Sequence, residues 1–114
     1  MRRPILMTKR GGVLCCALMF LTGFSFSGAG PVAKTHRVEI RQMKFNPSHL
    51  SVKPGDTVVF INLDMVTHDV TEATGQSWKS PPLPAKSSWK KVARTSATYY
   101  CSFHPVMKGA ITVK

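Results

Sequence analysis

Four side chains of this 114-residue sequence have the chemistry to share one ion: His68, Cys101, His104 and Met107. Three of them fall in the stretch YYCSFHPVMKG, Tyr99 to Gly109, as Cys-x-x-His-x-x-Met. That spacing sets a thiol at the end of a strand and an imidazole and a thioether in the loop beyond it, so the loop can curl round an ion. Pro105 fixes its own φ and lacks an N–H donor, which stiffens the loop where His104 must be aimed. Gly109 is expected to let the backbone turn back into the last strand. His68 comes from a separate upstream loop, and only a fold brings it close.

Two imidazoles, a thiolate and a distant thioether form the ligand set of a blue-copper centre, with three strong donors near a plane and a weak axial methionine. Thiolate and thioether favour the reduced ion, while imidazoles tolerate both states. A rigid shell then keeps geometry similar on electron transfer. Taken singly, each residue has a plainer reading: Cys101 as a core cysteine, His68 as a strand-end histidine, Met107 as a gap-filler. Their joint register favours the ligand reading.

The elements that must position these residues are strands. HRVEIRQMKF alternates with Val38 and Ile40 on one side, then slips phase so that Met43 and Phe45 take the apolar role, which predicts a β-bulge near Arg41 and Gln42. HLSVKPGD continues with Leu50 and Val52 inward and turns at Pro54-Gly55-Asp56. TVVFIN, Thr57 to Asn62, is apolar on both faces and predicts a central strand covered from either side. HDVTEA alternates from His68. Thr74 to Ser88, with three prolines, reads as a long surface connection in which Trp78 caps the sandwich. WKKVA, TYYCS and AITVK close the chain, and no segment holds a helical period. The expectation is an all-β sandwich of about seven to eight strands. Phe45, Phe60, Trp89 and Tyr99 read as core, whereas His36 and His49 read as solvent-facing. Met43 and Met65 read as packing residues; the alternative is a second, methionine-lined copper(I) site.

Residues 1–30 stand apart. Arg2, Arg3, Lys9 and Arg10 precede the apolar run Val13 to Phe26, and small residues follow from Ser27 to Gly30. At 14 residues the run is shorter than the roughly 20 needed to span a bilayer. Residues 1–30 therefore read as a secretory signal peptide and 31–114 as the mature domain, exported to the periplasm. The alternative is an uncleaved anchor, and RRPILM leaves the twin-arginine export route open. Cys15 and Cys16 lie at the start of the apolar run, where a lipoprotein cysteine does not. Cys101 is then the single cysteine of the mature domain, without a disulfide partner. Four of the net +11 charges lie in the leader, leaving +7 on the domain. That excess favours acidic partner surfaces. Its lysines and arginines are scattered rather than clustered, which argues against nucleic acid.

From residue 36 onward the sequence resembles the small cupredoxins of the plastocyanin, pseudoazurin and amicyanin group. The likeness is carried by MKFNPSHLSVKPGDTVVFINLD, THDV and YYCSFHPVMKG leading into AITVK. The short spacing from His104 to Met107 resembles the amicyanin-type loop. The resemblance implies an all-β Greek-key β-sandwich of the cupredoxin type and one type 1 copper ion, with His68, Cys101 and His104 as equatorial ligands and Met107 as the axial one. It also implies exchange of electrons through a small apolar surface at the edge of His104, for which Met65, Pro105 and Val106 are the candidates. The family commonly has asparagine where Asp69 stands; an aspartate there can accept a hydrogen bond from Ser102, and its charge would lower the reduction potential. The glycine usual before the Tyr-x-Cys strand is replaced by the run TSATYY.

The implied function is single-electron transfer between redox proteins such as a cytochrome c, a dehydrogenase or a reductase, by a monomer that does not insert in the membrane. The alternative is a periplasmic copper carrier that delivers the ion itself. No Ser-His-Asp, paired-carboxylate or phosphate-loop arrangement points to an enzyme, and the strong coordination positions are filled.

Overall fold

A computed structural model describes residues 31–114 continuously, with residues 2, 4, 11, 12, 23–25, 28 and 30 before them. The expected leader lies for the most part outside the described residues. Eight strands follow: β1 (Thr35–Arg41), β2 (Lys44–Asn46), β3 (His49–Val52), β4 (Thr57–Asn62), β5 (Thr71–Glu72), β6 (Ser88–Val92), β7 (Ala97–Tyr100) and β8 (Lys108–Val113). They form two four-stranded sheets, β2-β1-β4-β6 and β3-β8-β7-β5, with β1 parallel to β4 and β3 parallel to β8. This is the all-β sandwich that the alternation predicts. No helix among the described residues is long and apolar enough to cross a membrane.

The core sits where the inward positions of both sheets meet. Val38 and Ile40 of β1, Phe45 of β2, and Val58 and Phe60 of β4 face Val52, Tyr99 and Ile111 of the other sheet. The Tyr99 ring meets Phe45 and Phe60 edge-on, with centroids 4.9 and 5.3 Å away. Edge-to-face pairs of this kind add about 0.5–1.5 kcal/mol each to the area they bury. Trp78 packs on the margin of the core beside Trp89, capping it as expected.

Four sequence expectations are corrected. The phase slip after Ile40 is a two-residue hairpin and not a bulge: Arg41 pairs with Lys44, and Gln42 and Met43 both adopt positive φ, at 50° and 59°. That is the primed turn whose twist matches antiparallel strands. Phe45 is buried, while Met43 is exposed. The β4 strand alternates instead of being covered on both faces. Val59 and Ile61 lie half-buried on the outer side, and Val59 is flanked in register by Arg37 and Lys90. HDVTEA does not alternate either, since His68 to Glu72 are all buried and only Thr71–Glu72 is strand. The proline-rich connection is partly core: Leu83 and Ser80 are buried, and bridges tie Leu83 to His68 and Lys79 to Thr71.

At the far end of β4 from its last residue, Pro54-Gly55 makes a tight turn. Asp56 N–H donates to the Lys53 carbonyl at 3.1 Å, and Gly55 has φ +90°, which a residue with a Cβ adopts at a cost. The opposite pole, where β1, β4 and β7 end and β8 begins, carries the candidate site.

Candidate metal centre

His68 is fixed by its backbone before its ring is considered. Its N–H donates to the Leu83 carbonyl at 3.1 Å, and Leu83 N–H donates back at 2.7 Å. Asn62, the last residue of β4 and fully buried, staples the same loop: its side-chain amide donates to the carbonyls of Val66 and Leu83, both at 2.8 Å. Its side-chain oxygen accepts from Asp64 N–H at 2.9 Å.

The loop between β7 and β8 is wound by successive short bonds. His104 N–H donates to the Cys101 carbonyl at 3.1 Å, Met107 N–H to the His104 carbonyl at 2.9 Å, and Cys101 N–H to the Met107 carbonyl at 3.1 Å. Cys101, His104 and Met107, spaced by three, are thus the residues whose backbones define the loop. Met107 is buried at 2% exposure.

Tertiary structure brings His68 to that loop. The Sγ of Cys101 lies 3.6 Å from His68 Nδ1 and 3.7 Å from His104 Nδ1, and the three donor atoms all lie within 4.8 Å of one another. Imidazole and thiolate donors at about 2.0 and 2.3 Å from one ion, opened to about 115°, stand about 3.6 Å apart. The cluster therefore fits a metal without rearrangement. His68 and Cys101 have no exposed surface, and His104 is partly exposed. The site meets solvent through one imidazole.

Hydrogen bonds aim the ligand candidates. His68 Nε2 lies 2.9 Å from Asp64 Oδ2, which leaves Nδ1 toward the sulfur. The same carboxylate accepts from Gln42 N–H at 2.7 Å and Met43 N–H at 3.0 Å, tying the ligand loop to the β1–β2 hairpin. Burial pushes the Asp64 pKa up, but the Met43 amide, the His68 ring and the Gln42 amide outweigh it and hold the pKa below the usual carboxylate range. Asp69 N–H points at the Cys101 sulfur from 3.5 Å. The Asp69 carboxylate accepts from Ser102 N–H at 2.7 Å and from the Ser102 hydroxyl, the tie expected from the sequence. Lys79 Nζ, 3.5 Å from Asp69 Oδ2, offsets its charge.

The sequence reading missed Asn62, Asp64, Leu83 and Lys79. Asp64 sits four residues before His68, a spacing with no meaning in a loop until the fold is known. His36, expected in solvent, is 23% exposed and bonded to buried Asp56 at 2.8 Å; His49 is exposed, as expected. Gly109 does not serve a turn. It lies within β8, where an added Cβ would fall 2.4 Å from Tyr99 Cζ, so its missing side chain makes room for the tyrosine ring.

A sandwich with two histidines and a buried thiol at one pole defines a copper-binding class, and comparison with known proteins agrees. Residues 32–80 match the model of the copper binding proteins of the plastocyanin/azurin family. The chain belongs to this cupredoxin family, and copper is its cofactor. Among individual proteins it is similar to amicyanin of Paracoccus denitrificans, 31% identical over 83 residues, which is 68% of this chain and 63% of that protein. The match thus spans less than two thirds of that relative. A reduced amicyanin variant superposes with TM-score 0.65 at 30% identity, covering 70% of this chain and 82% of the other. A purple cupredoxin from Nitrosopumilus maritimus superposes with TM-score 0.64 at 28% identity, covering 69% and 99%.

Proposed function

We propose that this is an exported, periplasmic blue copper protein that carries single electrons between redox partners. In this reading His68, Cys101, His104 and Met107 would hold the ion, and residues 1–30 are the export signal. The observation that carries it is the buried thiol of Cys101 at 3.6 and 3.7 Å from two imidazole nitrogens. A copper ion held there supplies one-electron redox chemistry.

The chain's own residues provide the rest. The bridge between His68 and Leu83, the Asn62 staple and the three bonds of the 101–107 loop hold the donors in one arrangement, so little has to move when charge changes. The Asp69 amide donates to the sulfur and tempers its basicity. His104 carries the site to the surface. Around this pole Met65, Val66, Phe103 and Val106 are exposed, which adds Val66 and Phe103 to the apolar patch expected from Met65, Pro105 and Val106. Lys44 and Lys108, beside Val106 in one groove, supply cationic steering toward an acidic partner such as a cytochrome c, a dehydrogenase or a reductase.

Enclosure of His68 and Cys101 favours a resident ion over one in transit, which weighs against the delivery reading and against an enzyme needing an open position. The two readings separate by rate. Electron self-exchange of the copper-loaded protein is expected to outpace loss of copper to a chelator by orders of magnitude. Rapid surrender of copper with negligible self-exchange would make it a carrier.

A further inference from the structure

None of the five side-chain carboxylates of residues 31–114 is fully exposed. Asp56, Asp69 and Glu72 are buried, while Glu39 and Asp64 are half-buried and engaged by Arg37 and Arg41 or by the β1–β2 turn and His68. The charge this domain shows to solvent is therefore mostly positive. At the pole away from the metal centre, Lys34 precedes β1, Lys53 follows β3, Arg94 lies just past β6, and Lys114 follows β8.

Backbone bonds in and beside one turn set all four at this pole. Lys34 N–H and Lys53 N–H donate to the two oxygens of the Asp56 carboxylate at 2.9 and 3.1 Å. Ala93, next to Arg94, exchanges bonds with Gly55 and Asp56 at 2.7 and 2.8 Å, and Lys114 N–H donates to the Val52 carbonyl at 3.0 Å. Asp56 is spent on these amides and on His36, and among the described residues none of the four cations forms an ion pair. Lys34, Lys53 and Lys114 border a hollow of about 280 Å³.

From this juxtaposition we infer that the Lys34–Lys53–Arg94–Lys114 pole rests on an anionic phospholipid surface, with the metal centre facing away and free to meet partners. Four cations against the one buried carboxylate of Asp56 leave this pole net positive, which suits a surface dense in phosphate, and the attraction decays within about 8 Å at physiological salt. The cations of the other pole are set differently. Arg41 is paired with Glu39 at 2.9 Å, and Lys44 and Lys108 border the groove beside Val106. The inference does not depend on what the copper site does.

The test is binding of the copper-loaded full chain to vesicles of phosphatidylcholine with and without phosphatidylglycerol, read by co-sedimentation at low and high salt. A Lys34→Ala/Lys53→Ala/Arg94→Ala/Lys114→Ala variant is compared with a Lys44→Ala/Lys86→Ala/Lys90→Ala/Lys108→Ala variant, which loses the same charge elsewhere and keeps the same leader. At about fivefold per cation, the polar variant is expected to lose binding to the anionic vesicles by at least about a hundredfold, and the control by only a few-fold. Equal losses would mean that net charge and not this pole does the binding. Indifference to phosphatidylglycerol would also overturn the inference. So would loss by the polar variant of binding to polyglutamate but not to vesicles, because the pole would then be built for an acidic protein.

Discussion

Asp64 gives one carboxylate to three donors, and only one of them belongs to a proposed ligand. A partner that holds a ligating imidazole by its second nitrogen fixes the ring and raises its basicity, and losing such a partner typically costs 10–100-fold in metal affinity. Asp64→Ala should therefore weaken copper retention by about that factor in chelator competition, and Asp64→Asn, which keeps an acceptor, should recover part of it. Equal retention in all three proteins would show that the backbone bridge to Leu83 is sufficient. Gly109 and Tyr99 make a second residue-scale case. Gly109→Ala forces a Cβ to within 2.4 Å of the buried Tyr99 ring and should cost about 1–3 kcal/mol in urea unfolding. Tyr99→Phe should do the reverse, because the Tyr99 hydroxyl is buried with no hydrogen-bond partner among the described residues, and an unsatisfied hydroxyl costs about 1–3 kcal/mol. The four ligand candidates were legible because residue type and spacing identify them without coordinates. Their supports were not: an aspartate at position 64 or an asparagine at 62 acquires its role only when a hairpin and a distant loop are brought beside it.

At the scale of elements, period-two alternation was enough for most strands, as in Val38 and Ile40 or Leu50 and Val52. It failed where two structures leave one pattern. A slip of one residue after Ile40 is written alike by a bulge and by a two-residue turn. Gln42 and Met43 lack the asparagine or glycine that would have announced positive φ. The Asp64 carboxylate, bonding both turn amides, compensates for that. The proline-rich connection misled for a related reason, since Leu83 and Ser80 are buried through bridges that composition does not encode. Two carboxylates also tie elements together and set the acid limit of the fold. The Lys34 amide first, then the His36 ring and the Lys53 amide, lower the Asp56 pKa from 3.8 to about 2. The Gly75 amide and then the Thr74 hydroxyl and amide lower Glu72 from 4.5 to about 2. Groups depressed on folding stabilise fully above their unfolded pKa values, and this contribution drains away as pH falls from about 4.5 toward 2. Asp56→Asn and Glu72→Gln should each flatten the fall in urea midpoint between about pH 6 and about pH 3. An unchanged slope would locate the acid sensitivity elsewhere.

Over the whole molecule, composition revealed the excess of positive charge but not its arrangement. Scattered in sequence, the cations stand out at the two poles because most of the acidic side chains are buried or already engaged. Association with an acidic redox partner should accordingly slow by about tenfold or more between low ionic strength and physiological salt. Lys108→Glu should flatten that dependence more than Lys90→Glu, since Lys108 opens the strand that follows the site loop. A salt-insensitive rate would mean that the apolar patch alone governs encounter.

The central claim concerns the thiol at the site pole, and titration of the metal-free protein with copper(II), followed in the visible spectrum, addresses it most directly. One equivalent should produce an intense thiolate-to-copper band that a mild reductant bleaches, air restores, and Cys101→Ser abolishes. A protein that stays colourless at one equivalent, or whose band survives Cys101→Ser, would contradict the account.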